Sequence, residues 1–448
     1  MNVFDTIVAE CSAPMKAAVS MVRLSGKDSF EILSHVVKKD VNSFEARKMY
    51  YVSFYEDKDD EDSLIDRGTL VLYKDGKSYT GEDTVEFFVH GSPLIVNRLI
   101  SALIRYGARR ALGGEFTEKA YLNGKMDLSE AEAVNQLINA RTEKSRKFAL
   151  KTLNGDASGQ VKEMKKELNL LTAEIEVDID YPEYDENVEI APKIEKVLPP
   201  LLKKAEVLLA GSRQSTYLFN GIKVAIVGEP NVGKSTLLNK ILGEEKAIVT
   251  DVPGTTRDVV EGEKEIHGLL YRFYDTAGIR EAAGEIEKIG IEKTYDTIAK
   301  SDIVLLLFEK GQQIEEEIDK LEIRDLIRDK PCLTVSTKKD LNGIDKDADV
   351  SLSKEDPDLE EMFKKIEKKL DISDKDGDGF ASKRDLDLLE TFVSDLKDVL
   401  NDLKNKVTVD VLEIKLIEAT HALDEMLGVE NTMEDVYQTV FANFCVGK

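Results

Sequence analysis

The sequence predicts a multidomain α/β protein. An N-terminal α+β domain is followed by an all-helical domain, and an α/β domain is inserted into the helical one. Three observations predict this. The 448 residues are enough for about three domains. Apolar residues recur at three- and four-residue spacing on both sides of residues 216–371. Within that window the texture changes to short apolar runs separated by helical stretches. The expected boundaries are 1–120 for the N-terminal domain and 121–215 for the first helical half. The inserted domain takes 216–371 and the second helical half 372–448.

Composition narrows the class. Hydrophobic residues make up 42% and charged residues 33%, enough apolar side chain for packed cores and too much for a disordered chain. No apolar run reaches the roughly 18 residues of a membrane span, and no basic-then-apolar leader opens the sequence. Cys11, Cys332 and Cys445 are scattered, and neither they nor the four histidines form a zinc spacing. A cytoplasmic protein with no membrane role is expected. The net charge of −25 argues against unspecific nucleic-acid binding. Any RNA contact should use local basic clusters in the first half: Arg105, Arg109 and Arg110, or Lys144, Arg146, Lys147 and Lys151.

In the first domain, "AAVSMVRLSG" and "DTVEFFVHG" read as strands and "PLIVNRLISALIRYG" as an amphipathic helix. The helical region breaks at "DYPEYDENVEIAPK", where Pro182 and acidic residues impose a loop. From Lys223 onward "VAIVG", "LLYRFYD", "DIVLLLF" and "CLTVST" read as strands.

The chemistry is densest in this inserted domain. "GEPNVGKS", Gly228 to Ser235, fits G-x-x-x-x-G-K-[ST] between the strand "KVAIV" and the helix "STLLNKIL". That is the context in which the motif is a P-loop. Its glycines let backbone N–H groups close on phosphates, and the helix N-terminus adds favourable partial charge. Lys234 is expected at the β- and γ-phosphates. Ser235 is expected as a Mg²⁺ ligand, with Thr256 as a second. Asn231, Val232, Gly233 and Thr236 complete the loop. "TDVPGTTRD" supplies Thr250, Asp251, Val252, Pro253, Gly254 and Thr255. "DTAG" supplies Asp275, Thr276, Ala277 and Gly278, with Asp275 holding Mg²⁺ through water. "TKKD" supplies Thr337, Lys338 and Asp340, where a carboxylate accepts from guanine N1–H and N2–H₂. Ser351, in "SLSK", takes the last base-contacting position. Together these motifs read as a Ras-like P-loop GTPase. Thr337 stands where the usual motif has asparagine, so guanine preference is expected to rest on Asp340.

The whole chain resembles one family. "DTIVA", "RLSG" (23–26), "YTGEDTVEFFVHG", "GEFTEKAYLNGKMDLSEAEAV", "GTTRD", "DTAGIRE", "IEKIGIEK" and "FCVGK" are similar to the MnmE (TrmE) family of the TrmE-Era-like GTPase superfamily. The resemblance implies a tetrahydrofolate-binding N-terminal domain, a helical domain and an inserted G domain. It implies a homodimer acting on tRNA with an MnmG-like FAD protein as a heterotetramer. The implied activity is GTP-driven addition of an aminomethyl or carboxymethylaminomethyl group to C5 of the wobble uridine. The one-carbon unit comes from 5,10-methylene- or 5-formyl-tetrahydrofolate. A regulatory GTPase switch without one-carbon chemistry is the alternative; it gives no reason for the N-terminal domain or the terminal Cys-x-Gly-Lys.

The resemblance also carries residue roles. K⁺ would be held through Asn231, Thr250, Val252 and Thr255, and Glu287 would orient the attacking water. Folate would meet Arg23, Glu86, Lys125 and Lys448. Where the family carries glycines before "RLSG", this chain has "PMKAAV". Cys445 has two readings, a reactive thiol or a packing residue that positions Gly447 and Lys448. Finally, "DKDGDGFASKRD" (374–385) nearly fits a calcium loop, but Asp385 replaces the final glutamate. An acidic linker is the preferred reading.

Overall fold

The computed structural model describes residues 5–74, 76–180, 190–243, 262–275, 295–328, 330–355, 358–372, 377–428, 441, 444 and 447. In chain order the elements are β1 (Ile7–Glu10), β2 (Val19–Ser25), α1 (Ser29–Val36), β3 (Met49–Tyr55), β4 (Leu64–Tyr73), β5 (Thr84–His90), α2 (Pro93–Arg105) and β6 (Arg109–Arg110). Helices α3 (Glu115–Leu122), α4 (Leu128–Asn139), α5 (Glu143–Leu153), α6 (Asp156–Asp180) and α7 (Ile190–Asn220) follow. The α/β stretch holds β7 (Ile222–Gly228), α8 (Lys234–Leu242), β8 (Gly262–Ile266), β9 (Leu269–Asp275), β10 (Ile303–Glu309), α9 (Ile314–Lys320), α10 (Arg324–Ile327), β11 (Cys332–Thr337), α11 (Lys339–Asn342), β12 (Val350–Ser351) and α12 (Leu359–Lys369). Helices α13 (Lys383–Lys404) and α14 (Val409–Leu427) complete the order.

The chain forms two compact units. The first comprises 1–135, 153–195 and 395–448, and the second 136–152 and 196–394.

In the first unit a six-stranded sheet has the order β3-β4-β5-β2-β1-β6, antiparallel except for β1 with β6. Side chains alternate faces along a strand. Val22 and Leu24 of β2, and Val85, Phe87 and Val89 of β5, therefore share one buried core with α1 and α2. Arg23 and Glu86, register partners across β2 and β5, stand on the opposite face. The strand and helix expectations of the first domain match β2, β5 and α2.

In the second unit a six-stranded sheet has the order β12-β11-β10-β7-β9-β8, parallel except for the β8–β9 hairpin. Strand β7 is central, between β10 and β9. The chain leaves it toward both sides, the arrangement that opens a ligand crevice at the carboxyl ends of the strands. The continuous apolar runs "VAIV" and "IVLLLF" are buried on both faces, as parallel strands require. Strands read from "VAIVG", "LLYRFYD", "DIVLLLF" and "CLTVST" are β7, β9, β10 and β11. Strand β8 was not predicted: "GEKEI" carries three charges in five residues, and only its pairing with β9 makes it a strand.

Helix α7 continues through Pro199 and Pro200, a pair expected to break a helix. Both prolines are exposed, as are Glu195 and Lys196 four residues earlier, whose carbonyls lose their N–H donors. The loop expected around Pro182 lies outside the described residues.

Candidate functional site

Strand β7 delivers the chain into the P-loop, and two residues there adopt backbone conformations that constrain their identity. Gly228 has φ of +158°, and a Cβ would meet the Leu307 carbonyl oxygen at 2.5 Å. Gly233 caps α8 with φ of +108°. Lys234 is 6% exposed, and its Nζ donates to the carbonyls of Gly228 and Glu229, both at 2.8 Å. The ammonium is thereby folded over the loop at the start of α8, and the N–H groups of a helix's first turn suit an anion. Ser235 and Thr236 are exposed in the same first turn.

A cavity of about 230 Å³ opens beside this turn. Asn231, Val232, Gly233 and Thr236 line one side, and Thr337, Lys338 and Asp340 line another. The P-loop and "TKKD" therefore meet at one space, as a nucleotide with phosphates at one end and a base at the other requires. Lys338 takes a left-handed conformation (φ 58°) and pairs with Glu309 at the end of β10. Asn231 is also left-handed (φ 65°), a conformation asparagine tolerates better than most residues.

The structure shifts one expected position. Ser351 lies in β12, where its hydroxyl accepts from the Asp345 N–H at 3.0 Å, and it does not line the cavity. Leu352, Ser353 and Lys354 do. The reason is register: Ser351 pairs with Ser336, and the Leu352 N–H donates to the Ser336 carbonyl, so the chain reaches the cavity one residue later. Leu237, Lys240 and Leu341 also line the cavity and were not anticipated; nothing but spacing from the motifs pointed to them.

Several expected residues lie outside the described ones: Thr250, Asp251, Val252, Pro253, Gly254, Thr255, Thr256, Thr276, Ala277, Gly278, Glu287, Cys445 and Lys448. Asp275 is the last residue of β9, the neighbour of β7.

The first unit holds a second polar cluster. Arg23 is 8% exposed, and its Nε and Nη2 both donate to Oε1 of Glu86, at 3.1 and 3.0 Å. Tyr73 donates to the other oxygen, Oε2, at 3.1 Å. Burial first, then the Glu86 charge, raises the Tyr73 pKa, so its phenol keeps the proton it donates. The guanidinium carbon lies 5.0 Å from the Tyr79 ring centroid and 5.4 Å from that of Phe116. Its remaining Nη1 is buried and, among the described residues, has no hydrogen-bond partner. Lys125 is exposed beside Gly81, in the loop before β5. Tyr73, Tyr79 and Phe116 were missed because strand and helix periodicity assigns aromatics to cores before sites.

Both basic clusters suggested for RNA are largely tied up. Arg109 pairs with Asp5 and Glu115, and Arg105 with Glu56. Arg146 pairs with Glu143, and Lys151 with Asp378. In the calcium-like loop, Asp374 and Asp376 lie outside the described residues. Asp385 is 1% exposed and pairs with Arg384, so it is turned inward.

Residues 128–445 match the model of the MnmE helical domain, and residues 6–125 that of the GTP-binding protein TrmE N-terminus. The tRNA modification GTPase MnmE of Thermotoga petrophila is 39% identical, aligning 99% of this chain with 100% of its own. The Aquifex aeolicus MnmE is 37% identical over the same shares. That of Enterococcus faecalis is 36% identical over 99% of this chain and 98% of its own. On these matches, spanning both the sheet that carries Arg23 and the loop that carries Lys234, the chain belongs to the MnmE family of tRNA modification GTPases.

Proposed function

We propose that the chain hydrolyses GTP in the course of modifying tRNA. It would act on C5 of the wobble uridine, with a tetrahydrofolate one-carbon unit and an FAD-protein partner. The observation that carries the GTP reading is the cavity shared by Gly233, Thr337 and Asp340 next to the buried Lys234. Lys234 would exchange its two carbonyl partners for β- and γ-phosphate oxygens, and Asp340 would accept from the guanine edge. Ser235 supplies an exposed hydroxyl for Mg²⁺, with Thr256 as the second ligand. Asn231, Thr250, Val252 and Thr255 would hold K⁺. Mg²⁺ and K⁺ supply charge neutralisation as phosphoryl oxygens gain charge. Glu287 would orient the water.

Arg23 Nη1, buried without a hydrogen-bond partner among the described residues on a guanidinium that lies near the Tyr79 and Phe116 rings, supports the folate reading. A buried donor without an acceptor costs about 1–3 kcal/mol, and a carboxylate or carbonyl of a bound aromatic ligand would relieve it. Glu86 already accepts from Arg23 and Tyr73, so it meets a pterin edge only by sharing those oxygens. Gly447 lies against Cys11, which, like Tyr79, packs on the apolar cluster of Ile7, Ala9, Ala111 and Phe116. That supports Cys445 and Lys448 acting at the same cluster. We further propose the division 1–120, 121–215, 216–371 and 372–448, a homodimer, a heterotetramer with the FAD protein, and a cytoplasmic location.

Nucleoside mass spectrometry of tRNA from cells lacking this chain tests the reading. Loss of C5-modified wobble uridines is expected, with restoration by the native chain and not by Lys234→Ala. Unchanged modified uridines in the deletion strain would refute it.

A further inference from the structure

Arg23 and Lys125, which the folate reading sets on one ligand, are remote in sequence, yet one short loop reaches both. That loop is Tyr79, Thr80, Gly81 and Glu82, just ahead of β5. At its start, the Tyr79 ring centroid lies 5.0 Å from the Arg23 guanidinium carbon. Two residues on, Gly81 lies against the Lys125 stem. A Cβ on Gly81 would stand 3.3 Å from Lys125 Cγ and 2.7 Å from Asn123 Cβ. Its φ of +79° also favours glycine there.

The loop is gripped from two sides. On the strand side, Ser25 stands two residues beyond Arg23 at the end of β2. Its hydroxyl shares a hydrogen bond with the Thr80 hydroxyl at 2.7 Å and donates to Glu82 Oε2 at 3.2 Å. On the helix side, Lys119 is 2% exposed, and its Nζ donates to both Glu82 oxygens, at 3.0 and 2.9 Å. One turn later Asn123, the residue that caps α3, donates from Nδ2 to the Thr80 carbonyl at 2.7 Å. Lys125 follows at once. Gly124 is left-handed (φ 65°), and the N–H groups of Gly124 and Lys125 donate to the Tyr121 and Ala120 carbonyls, both at 2.9 Å. This is the Schellman closure of a helix end, and it fixes the Lys125 backbone relative to Asn123. We propose that Asn123 and Lys119 are positioning residues: they lock the end of α3 onto the 79–82 loop and so set Lys125 against Arg23 for a single folate. The proposal rests on the folate reading above.

Removing Lys119 strands the Glu82 charge and threatens the fold, so the test uses Asn123, which is exposed. Asn123→Leu in the full chain keeps the shape and removes the donor. Binding of 5-formyl-tetrahydrofolate, read by calorimetry, is expected to weaken about fivefold, the scale of one hydrogen bond. Lys125→Ala weakens it by about tenfold or more, as loss of a charged contact does. In a Lys125→Ala background Asn123→Leu adds no further loss, because its effect runs through the lysine. A residue with a merely structural role would weaken binding equally in both backgrounds. Native affinity in Asn123→Leu overturns the proposal, and so does a further fivefold loss on top of Lys125→Ala. Native affinity in Lys125→Ala has a different meaning: it refutes the folate reading at that lysine, and the proposal falls with it.

Discussion

Gly447 lies against Glu10 so closely that a Cβ on the glycine would stand 2.4 Å from the Glu10 carbonyl oxygen and 2.8 Å from the Cys11 Cα. Its φ of +99° independently excludes an ordinary L side chain. Phe441 and Phe444, with ring centroids 5.4 Å apart, pack with Leu128 and Ala131 of α4. Phe441 and Phe444 are thus anchored on a helix, and Gly447 is set against the end of β1. Gly447→Ala should displace this segment without touching the nucleotide cavity. The expected outcome is at least a tenfold fall in tRNA modification, by nucleoside mass spectrometry, with GTP turnover within twofold of native.

The β8–β9 turn carries a histidine between two carboxylates. His267 Nδ1 meets Glu367 Oε1 at 2.7 Å, and Nε2 meets Glu360 Oε2 at 3.0 Å, both from α12. The hydrogen bond to Glu367, and then that to Glu360, raises the His267 pKa above 6.5 despite partial burial. Tyr271 donates to the same Glu367 oxygen, and Lys364 pairs with Glu360. A folded pKa above the unfolded one stabilises the protein fully below about pH 6.5, and the effect fades as pH rises through the folded value. His267→Asn tolerates the left-handed backbone (φ 53°) and removes the titration. The Tm difference between native and variant should be largest near pH 6 and shrink toward pH 9. A difference that grows with pH refutes the clasp.

What the sequence made legible was whatever rests on local pattern. The P-loop, β7, β9, β10, β11 and the helix α8 all announce themselves through contiguous motifs or apolar runs. Arg23 and Glu86 came from the family resemblance, and their pairing depends on register between strands 63 residues apart. The charged strand β8, the one-residue shift from Ser351 to Leu352, Ser353 and Lys354, and the aromatic walls around Arg23 were not legible. Each is decided by a partner strand or a tertiary neighbour, which single-sequence periodicity does not record.

Gly211 of α7 reports on the calcium-like loop from the other side. A Cβ there would meet the Asp378 carbonyl oxygen at 2.0 Å, and one on Gly379 would meet the Ser212 nitrogen at 2.5 Å. Ser215 and Ser212 hydroxyls bond the Phe380 carbonyl and N–H, at 2.7 and 2.9 Å. The segment is held by backbone packing and side-chain hydrogen bonds, with Asp378 engaged by Lys151 and Asp385 by Arg384. Gly211→Ala should destabilise the protein by about 1–3 kcal/mol through overpacking, measured by urea unfolding. Millimolar Ca²⁺ should leave the Tm of the native chain unchanged; a rise of several degrees would mean the loop binds the ion.

The Arg23–Glu86 pair separates a stability role from a ligand role. Their side chains are 9% and 13% exposed, so each charge depends on the other. Removing one partner of such a buried pair strands the other charge and costs about 3–5 kcal/mol. Arg23→Ala should therefore lower stability on that scale. Arg23→Ala combined with Glu86→Leu should cost less than the two single changes added, because no charge is then left unpaired. Arg23→Lys keeps the positive charge but loses the planar fork that bonds Glu86 through two nitrogens while leaving Nη1 directed elsewhere. It should retain most of the stability and still weaken 5-formyl-tetrahydrofolate binding at least tenfold by calorimetry. Native folate affinity in Arg23→Lys would reduce the arginine to a structural counter-ion for Glu86, and would leave Nη1 with no part in the ligand.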